Sequence, residues 1–439
     1  MSPRERLSGR EQCGPYKGMA VLKRDYQAAP LCIPGEPLRK QEQEPSTNRQ
    51  IAMSSPDLTD AEREAVAAVL RTPRLSIGPQ VEAFEAAVAE RVGAKHAVAV
   101  SSGTAGLHLC VRATGVTDGD WVITTPFSFI ASANVLLYER AAPVFVDVDP
   151  RTGNIDPALV AQAAADLERG GTAAKRWLPP KGASAKGRLK AILPVDVFGQ
   201  PADYDLLVET ARRYELATIE DSCEALGATY HNRPAGMLGD VGVFAFYPNK
   251  QITTGEGGVV VTDRDDWAAM IRALRNQGRT PGNTWLEHSY LGYNYRMDEM
   301  CAALGKVQMT RLDELLAKRE QVVDWYGQRL REIPGVELPQ LVPDTTRMSW
   351  FVYVIRLDRA INRHPVIERL SAHGVPSRPY FVPIHLQPPY VERFGYQPGD
   401  YPVTEDLGRR SLALPFSGMM SEAEVDQVCQ ALRQSLIED

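Results

Sequence analysis

The sequence predicts an α/β fold with a largely parallel sheet, followed by a smaller α+β region. Strand-type apolar runs alternate with helical stretches over about two hundred residues from Asp57 onward. After Met297 that rhythm stops, and one long amphipathic helix leads into a strand and another helix. The composition, 44% hydrophobic and 24% charged, is that of a globular chain rather than a disordered or fibrous one.

The elements follow in order. Thr59-Asp60-Ala61-Glu62 opens a helix, with Thr59 as N-cap and Glu62 at the capping-box position. A second helix over 81–92 stops at Gly93. A strand over 97–100 runs into Ser101-Ser102-Gly103-Thr104-Ala105-Gly106, and residues 107–113 have helical composition. Further strands are predicted over 121–125, 144–148, 191–195, 217–220, 242–246 and 259–262, with helical stretches between them such as 204–214. Glu168 to Lys190 interrupts the series with seven basic residues against one acid, two prolines and four glycines. On composition it is an exposed, solvated insertion; a sharper reading places it beside the substrate entrance, facing an anionic substrate. Beyond Met297, Leu312, Leu315, Leu316, Val322, Val323, Tyr326 and Leu330 recur at helical spacing, a stripe that core packing explains. A strand over 350–357 and a helix over 365–373 complete the pattern.

At ~150 residues per domain the length of 439 suggests about three domains, which two larger lobes also satisfy. The division adopted is an N-terminal extension over 1–50, a large domain over 51–300 carrying the basic insertion at about 168–190, and a small domain over 301–439 with the linking helix. Residues 1–50 hold six prolines, nine basic and six acidic residues, and no apolar segment long enough for a secretory signal. They read as a disordered tail, or as an over-extended start with Met19 or Met53 as the initiator.

Net charge is −6, from 49 Lys+Arg against 55 Asp+Glu, without the basic footprint of a nucleic-acid binder. No apolar stretch reaches the ~20 residues of a membrane span. The six cysteines are scattered, with no C-x-x-C pair, and read as free thiols in a reducing, cytoplasmic setting rather than as disulfides or metal ligands.

Three elements carry chemistry in combination. Ser102-Gly103-Thr104, between a strand and a helix, offers free backbone N–H groups and a positive helix end to a phosphate. Alone, such a small-residue turn is common. Ile219-Glu220-Asp221-Ser222 puts acids at the end of a buried strand, where α/β sheets bind ligands; alone, such an acid equally caps the next helix. Lys250 sits in the loop Phe246-Tyr247-Pro248-Asn249-Lys250-Gln251-Ile252-Thr253-Thr254-Gly255-Glu256-Gly257-Gly258, framed by proline and glycine. A phosphate cradle, an amine and an acid are what pyridoxal 5'-phosphate requires.

The stretches HAVAVSSGTAGLHL, PVFVDVDP, PVDVFGQPADYD, IEDSCEALGATY, GDVGVFAFYPNKQITTGEGGVVVT, GYNYRMDEMCAA and IHLQPPY resemble the DegT/DnrJ/EryC1/StrS family of sugar aminotransferases, from about Ser54 to the end. The resemblance implies a fold-type I PLP-transferase-like architecture, a large domain with a mostly parallel seven-stranded sheet flanked by helices plus a smaller C-terminal α+β domain. It implies that Lys250 is the Schiff-base lysine and that Asp221 faces the pyridine nitrogen. Gly103 and Thr104 match the phosphate cradle, and Phe129 the aromatic stacked on the ring. Asn294, in Gly292-Tyr293-Asn294-Tyr295-Arg296, matches the residue that reaches the cofactor phosphate of a neighbouring subunit, so a homodimer with shared sites is expected. Tyr380 and His385 match a region lining the sugar site, although a buried, hydrogen-bonded His fits His385 as well. Two positions depart from the pattern. Ala245 stands where many members carry a phosphate-binding Ser, and Glu224 where Gln or His is common beside the ring's phenolic oxygen. Glu occurs there in relatives resembling perosamine synthases, which aminate C-4 of a nucleotide-linked hexose. The expected reaction is amination of a nucleotide-diphosphate-linked keto-sugar, at C-4 rather than C-3, with L-glutamate as donor. The alternatives are keto-cyclitol amination, deoxysugar dehydration and a non-catalytic PLP-bearing regulatory protein. No metal is expected.

Overall fold

Seven short apolar runs, rich in Val and Ile, pair into one sheet. In chain order they are β1 (His96–Val100), β2 (Trp121–Thr124), β3 (Ala142–Phe145), β4 (Leu189–Leu193), β5 (Ala217–Asp221), β6 (Val241–Ala245) and β7 (Gly258–Thr262). These belong to a computed structural model that describes residues 51–437, apart from Ala185, Pro281, Asn283 and Trp285. The extension or alternative start expected over 1–50 lies outside the described residues.

The strand order is β1-β7-β6-β5-β4-β2-β3. β2 is parallel to β3 and β4, β4 to β5, and β5 to β6, while β7 runs antiparallel to both β1 and β6. No helix carries the chain back between β6 and β7, so β7 returns directly beside its predecessor. The other six strands all end at one edge of the sheet, and the loops that follow them gather there. The strands are buried almost throughout, as expected where helices cover both faces.

Local signals account for many element ends. Thr59 and Glu62 form the expected capping box on the helix Asp60–Leu70. The helix Pro79–Val92 starts two residues before the predicted position, with Pro79 in its first turn, and ends at Gly93, whose φ of 71° favours glycine. Two strands lie earlier than predicted. Pairing of Trp121 with Ala142 sets β3 at 142–145, leaving Val148 in an isolated bridge with Ile155. β4 ends at Leu193, leaving Val195 only a bridge to Asp221.

The basic stretch is a largely exposed loop over 176–188, Ala185 apart, but its ends belong to regular elements. Its first residues end the helix Pro157–Arg169, Gly171–Lys175 form a short helix, and Leu189 begins β4. Its last part also lies away from the strand-end edge. Trp121, which starts β2, donates its N–H to Arg188 O (2.8 Å) and its indole Nε1–H to Ser184 O (3.1 Å). Lys186 and Arg188 are thereby placed where strands begin, opposite the loops that follow β1, β5 and β6.

The C-terminal part forms an antiparallel sheet of β8 (Val336–Glu337), β9 (Tyr353–Leu357), β10 (Arg378–Pro379) and β11 (Ser411–Leu414), in the order β8-β9-β11-β10. The helices Leu312–Leu330, Arg363–Ala372 and Glu422–Ile437 share a core with it through Tyr326, Leu330, Val366, Val428 and Leu432. The strand expected over 350–357 begins only at Tyr353; Trp350 and Phe351 lie outside it. Among the described residues, no helix is long and apolar enough to cross a membrane.

Candidate active site

β1 delivers the chain into a helix start. Ser102 caps the helix Gly103–Ala113, its Oγ accepting from Ala105 N (3.1 Å). The N–H groups of Gly103 and Thr104, on the first helical turn, have no acceptor of their own among the described residues. A Cβ on Gly103 would lie 2.7 Å from Ala245 Cβ and 2.9 Å from Cys223 Sγ. The helix start is therefore pressed against the ends of β5 and β6, and only glycine fits that approach. Ala245 Cβ lies against this helix start.

Asp221 ends β5 and is 5% exposed. Its Oδ2 accepts from Ser132 Oγ (2.7 Å) and its Oδ1 from Cys223 N (3.2 Å). Ser132 lies 3.3 Å from Phe129 O, so the turn carrying Phe129 is tied to the carboxylate. Phe129 itself is 63% exposed. Behind Asp221, Ser222 Oγ stands 2.7 Å from Asp196 Oδ2 and 2.8 Å from Glu220 Oε1. Both carboxyls are buried; burial, with the charge of Glu220 adding to it, holds the Asp196 carboxyl well above the usual range. Ser222 Oγ thus bridges the two carboxyls, and Glu220 also accepts from the N–H groups of Gly236, Leu238 and Gly239.

The loop after β6 carries Lys250. It is folded on itself by Lys250 N donating to Tyr247 O (2.9 Å) and Thr254 N to Phe246 O (3.0 Å). Lys250 Nζ stands 3.8 Å from Glu224 Oε1 and 3.7 Å from the centroid of the Phe351 ring. The other Glu224 oxygen accepts from Phe198 N (2.8 Å). Phe198 presents that N–H from a left-handed backbone, φ 60°, unusual for a bulky residue and found mostly where a site demands it. Burial raises the Glu224 carboxyl pKa, while the Lys250 charge pulls the other way. Tyr380 belongs to the same cluster. Its ring lies 6.1 Å from Phe198 and 6.5 Å from Phe351, and burial, then the Glu224 charge, pushes its phenol up to about 12.

Gly103, Thr104, Phe129, Asp221, Glu224, Lys250 and Tyr380 are thus gathered at one sheet edge. Two expected residues stand apart. His385 is 0% exposed, with Nε2 3.0 Å from Glu405 Oε1 and its ring against Tyr401, so it is a buried, hydrogen-bonded histidine and offers no surface to a substrate. Asn294 is exposed, between Tyr293 and Tyr295; Tyr295 O accepts from Ser101 N (2.8 Å), one residue before the cradle's cap.

The sequence reading missed Ser132, Phe198, Phe351 and Arg319. The first three carry no spacing signal, because their roles arise from loops that meet only in the folded chain. Arg319 did carry one, a charge at a stripe position of the helix Leu312–Leu330. Among the described residues, no group of three His, Cys, Asp or Glu side chains could hold a metal ion.

The cradle, the buried carboxylate and the amine fit pyridoxal phosphate: backbone donors for its phosphate, an acid for its ring nitrogen, a primary amine for its aldehyde. The family model for the DegT/DnrJ/EryC1/StrS aminotransferase family matches residues 56–433. GDP-perosamine synthase of Caulobacter vibrioides is 40% identical over 391 residues, spanning 88% of this chain and 99% of that protein. Among solved structures, DesV of S. venezuelae in complex with a ketimine intermediate matches with TM-score 0.76 and 32% identity, over 88% of this chain and 98% of that one. PseC of Helicobacter pylori, an aminotransferase involved in the biosynthesis of pseudoaminic acid, matches with TM-score 0.80 and 27% identity, over 89% and 100%.

Proposed function

The chain belongs to the DegT/DnrJ/EryC1/StrS aminotransferase family, and from that premise we propose that it aminates C-4 of a nucleotide-diphosphate-linked keto-hexose, using L-glutamate as donor. It is a pyridoxal-phosphate-dependent sugar aminotransferase. The observation that carries the finer reading is Lys250 Nζ beside Glu224, three residues past the buried Asp221. When bound, the cofactor supplies an electron sink for the carbon that loses its proton.

The chain's own residues do the rest. Gly103 N–H and Thr104 N–H hold the phosphate. Phe129, exposed beside Asp221's partner Ser132, would cover one face of the ring. Asp221, fixed by Ser132 and Cys223, keeps the ring nitrogen protonated through its carboxylate. Lys250 Nζ would supply the amine for the cofactor's aldehyde and would hold and deliver the proton at the reacting carbon. Glu224 faces that amine and would stand beside the ring's phenolic oxygen. Tyr380 closes the sugar side; His385 acts only as a packed support for its segment. Asn294 is exposed and would reach the phosphate bound in a second copy, which would make the homodimer with shared sites the working unit. The free cysteines Cys110, Cys223, Cys301 and Cys429 support a reducing, cytoplasmic setting.

C-4 is preferred because Glu224 occupies the position where relatives resembling perosamine synthases carry Glu. The test offers the purified protein glutamate with nucleotide-linked 4-keto- and 3-keto-hexoses, follows oxoglutarate release, and locates the new amine by NMR. Amination at C-4 is expected. Amination at C-3, or of a keto-cyclitol without nucleotide, would overturn the assignment.

A further inference from the structure

Arg319 lies on the buried face of the helix Leu312–Leu330 and is 4% exposed. Among the described residues no carboxylate pairs with it. Its donors go to backbone carbonyls, Nη1 to Trp350 O (3.2 Å) and Phe351 O (3.3 Å), Nη2 to Asn249 O (3.3 Å) and Lys250 O (2.6 Å). A buried cation without a counter-charge is destabilising, and burial pulls this guanidinium down to about 10. Core packing alone would be better served by leucine or methionine, so the residue is explained by what it joins.

The two segments it joins bear on one amine. Lys250 supplies its carbonyl from one side, and Phe351, whose ring faces Lys250 Nζ at 3.7 Å, supplies its carbonyl from the other. Gln251 adds a second tie, its Nε2 donating to Glu224 O (2.5 Å) and Ser349 O (2.8 Å). Ser349 N and Phe351 N in turn donate to Gly199 O and Phe198 O, beside the Phe198 N–H that holds Glu224. We propose that Arg319 is a positioning residue for Lys250: its guanidinium ties the lysine loop to segment 350–351 and keeps the amine between the Phe351 ring and Glu224. The functional meaning rests on Lys250 being the reacting amine; the test does not.

The full-length chain, freed of cofactor, is treated with a limiting pulse of acetic anhydride at fixed pH. Acetylation is read by peptide mass spectrometry at Lys250 and at exposed Lys306 as internal reference. Arg319→Lys keeps a charge but cannot span four carbonyls, and Phe351→Leu removes the ring while leaving Arg319 in place. In both, Lys250 acetylates about tenfold faster, the factor expected for losing a largely desolvated ammonium–ring contact, while Lys306 is unchanged. Amide exchange in Arg319→Lys accelerates over residues 247–252 and 349–352 but not in β9. Unchanged Lys250 labelling in either variant, or a rise shared by Lys306 and β9 in Arg319→Lys, overturns the proposal. Should Arg319→Lys fail to fold, Arg319→Gln replaces it, and loss of folding in both also overturns it in favour of a purely structural arginine. Transamination by a Lys250→Ala variant would instead overturn the role of Lys250 and leave the labelling result intact.

Discussion

Gly103→Ala adds one methyl group at the point where the phosphate cradle meets the sheet. The new Cβ would stand 2.7 Å from Ala245 Cβ and 2.9 Å from Cys223 Sγ, both closer than real Cβ contacts allow. Ala245 Cβ is fixed to the β6 backbone, so the helix start must move instead. Overpacking of this kind costs about 1–3 kcal/mol of stability. On the proposed function, the same movement draws the Gly103 and Thr104 N–H groups away from the phosphate they would hold. Loss of one charge-assisted hydrogen bond, ~1.5–3 kcal/mol, weakens cofactor affinity by roughly tenfold to a hundredfold. The assay is spectrophotometric titration of the cofactor-free protein with pyridoxal phosphate, with the thermal midpoint measured in parallel. Ala245→Gly removes the tighter of the two contacts, so the double variant recovers part of the lost affinity and the two changes are energetically coupled. Wild-type affinity in Gly103→Ala, or strict additivity with Ala245→Gly, would refute the steric reasoning.

Other perturbations test other parts of the chain. Ser132→Ala removes the 2.7 Å bond to Asp221, and kcat should fall about tenfold to a hundredfold with little change in KM; an unchanged kcat in steady-state assays counts against that bond. Glu62, buried and bonded to Thr59, Gln308 and Arg311, has its carboxyl held down at about 2 against a reference of 4.5. Burial opposes that lowering and the hydrogen bonds produce it. A depressed folded pKa gives stability that is present above pH 4.5 and lost as pH falls toward 2, about 3 kcal/mol in all. Glu62→Gln should therefore unfold more easily at neutral pH, with the difference vanishing near pH 2 in denaturant titrations; a constant difference contradicts the linkage. Replacing Lys186, Arg188 and Lys190 together by Gln should leave the nucleotide-sugar KM unchanged, because Lys186 and Arg188 sit where strands begin. A raised KM would restore that segment to the substrate entrance.

Residues that act through local chemistry were legible in the sequence. The Thr59–Glu62 box, the Gly93 stop and the alternation that makes the sheet parallel depend on short-range preferences and burial period. So did the convergence of Gly103, Asp221 and Lys250, since parallel strands must end at one edge. What escaped depends on contacts between distant segments. Phe198 reaches Glu224 only because its backbone turns left-handed, and Phe351 meets Lys250 across a tie made by a third element. His385 matched a motif near the sugar site, yet Glu405 and Tyr401 enclose it, a fact of packing that no spacing reveals. The basic stretch was legible in its middle, where 176–188 (Ala185 apart) is the largely exposed loop that its composition predicts, and not at its ends. Its composition reads as loop, but helix ends and strand starts tolerate the same residues when their charged heads face solvent. Arg319 was legible in principle: a charge within an apolar stripe has to find partners, and here they are carbonyls.

The most direct measurement compares wild type and Lys250→Ala, both loaded with pyridoxal phosphate and offered glutamate and a nucleotide-linked keto-hexose. The wild-type protein should show the visible absorbance of a lysine-linked cofactor and release oxoglutarate as the amino-sugar forms. The variant should remain folded, lose that absorbance and release none. Transamination by Lys250→Ala, or a wild-type protein that binds the cofactor without linking it, would contradict the assignment of Lys250 as the reacting amine.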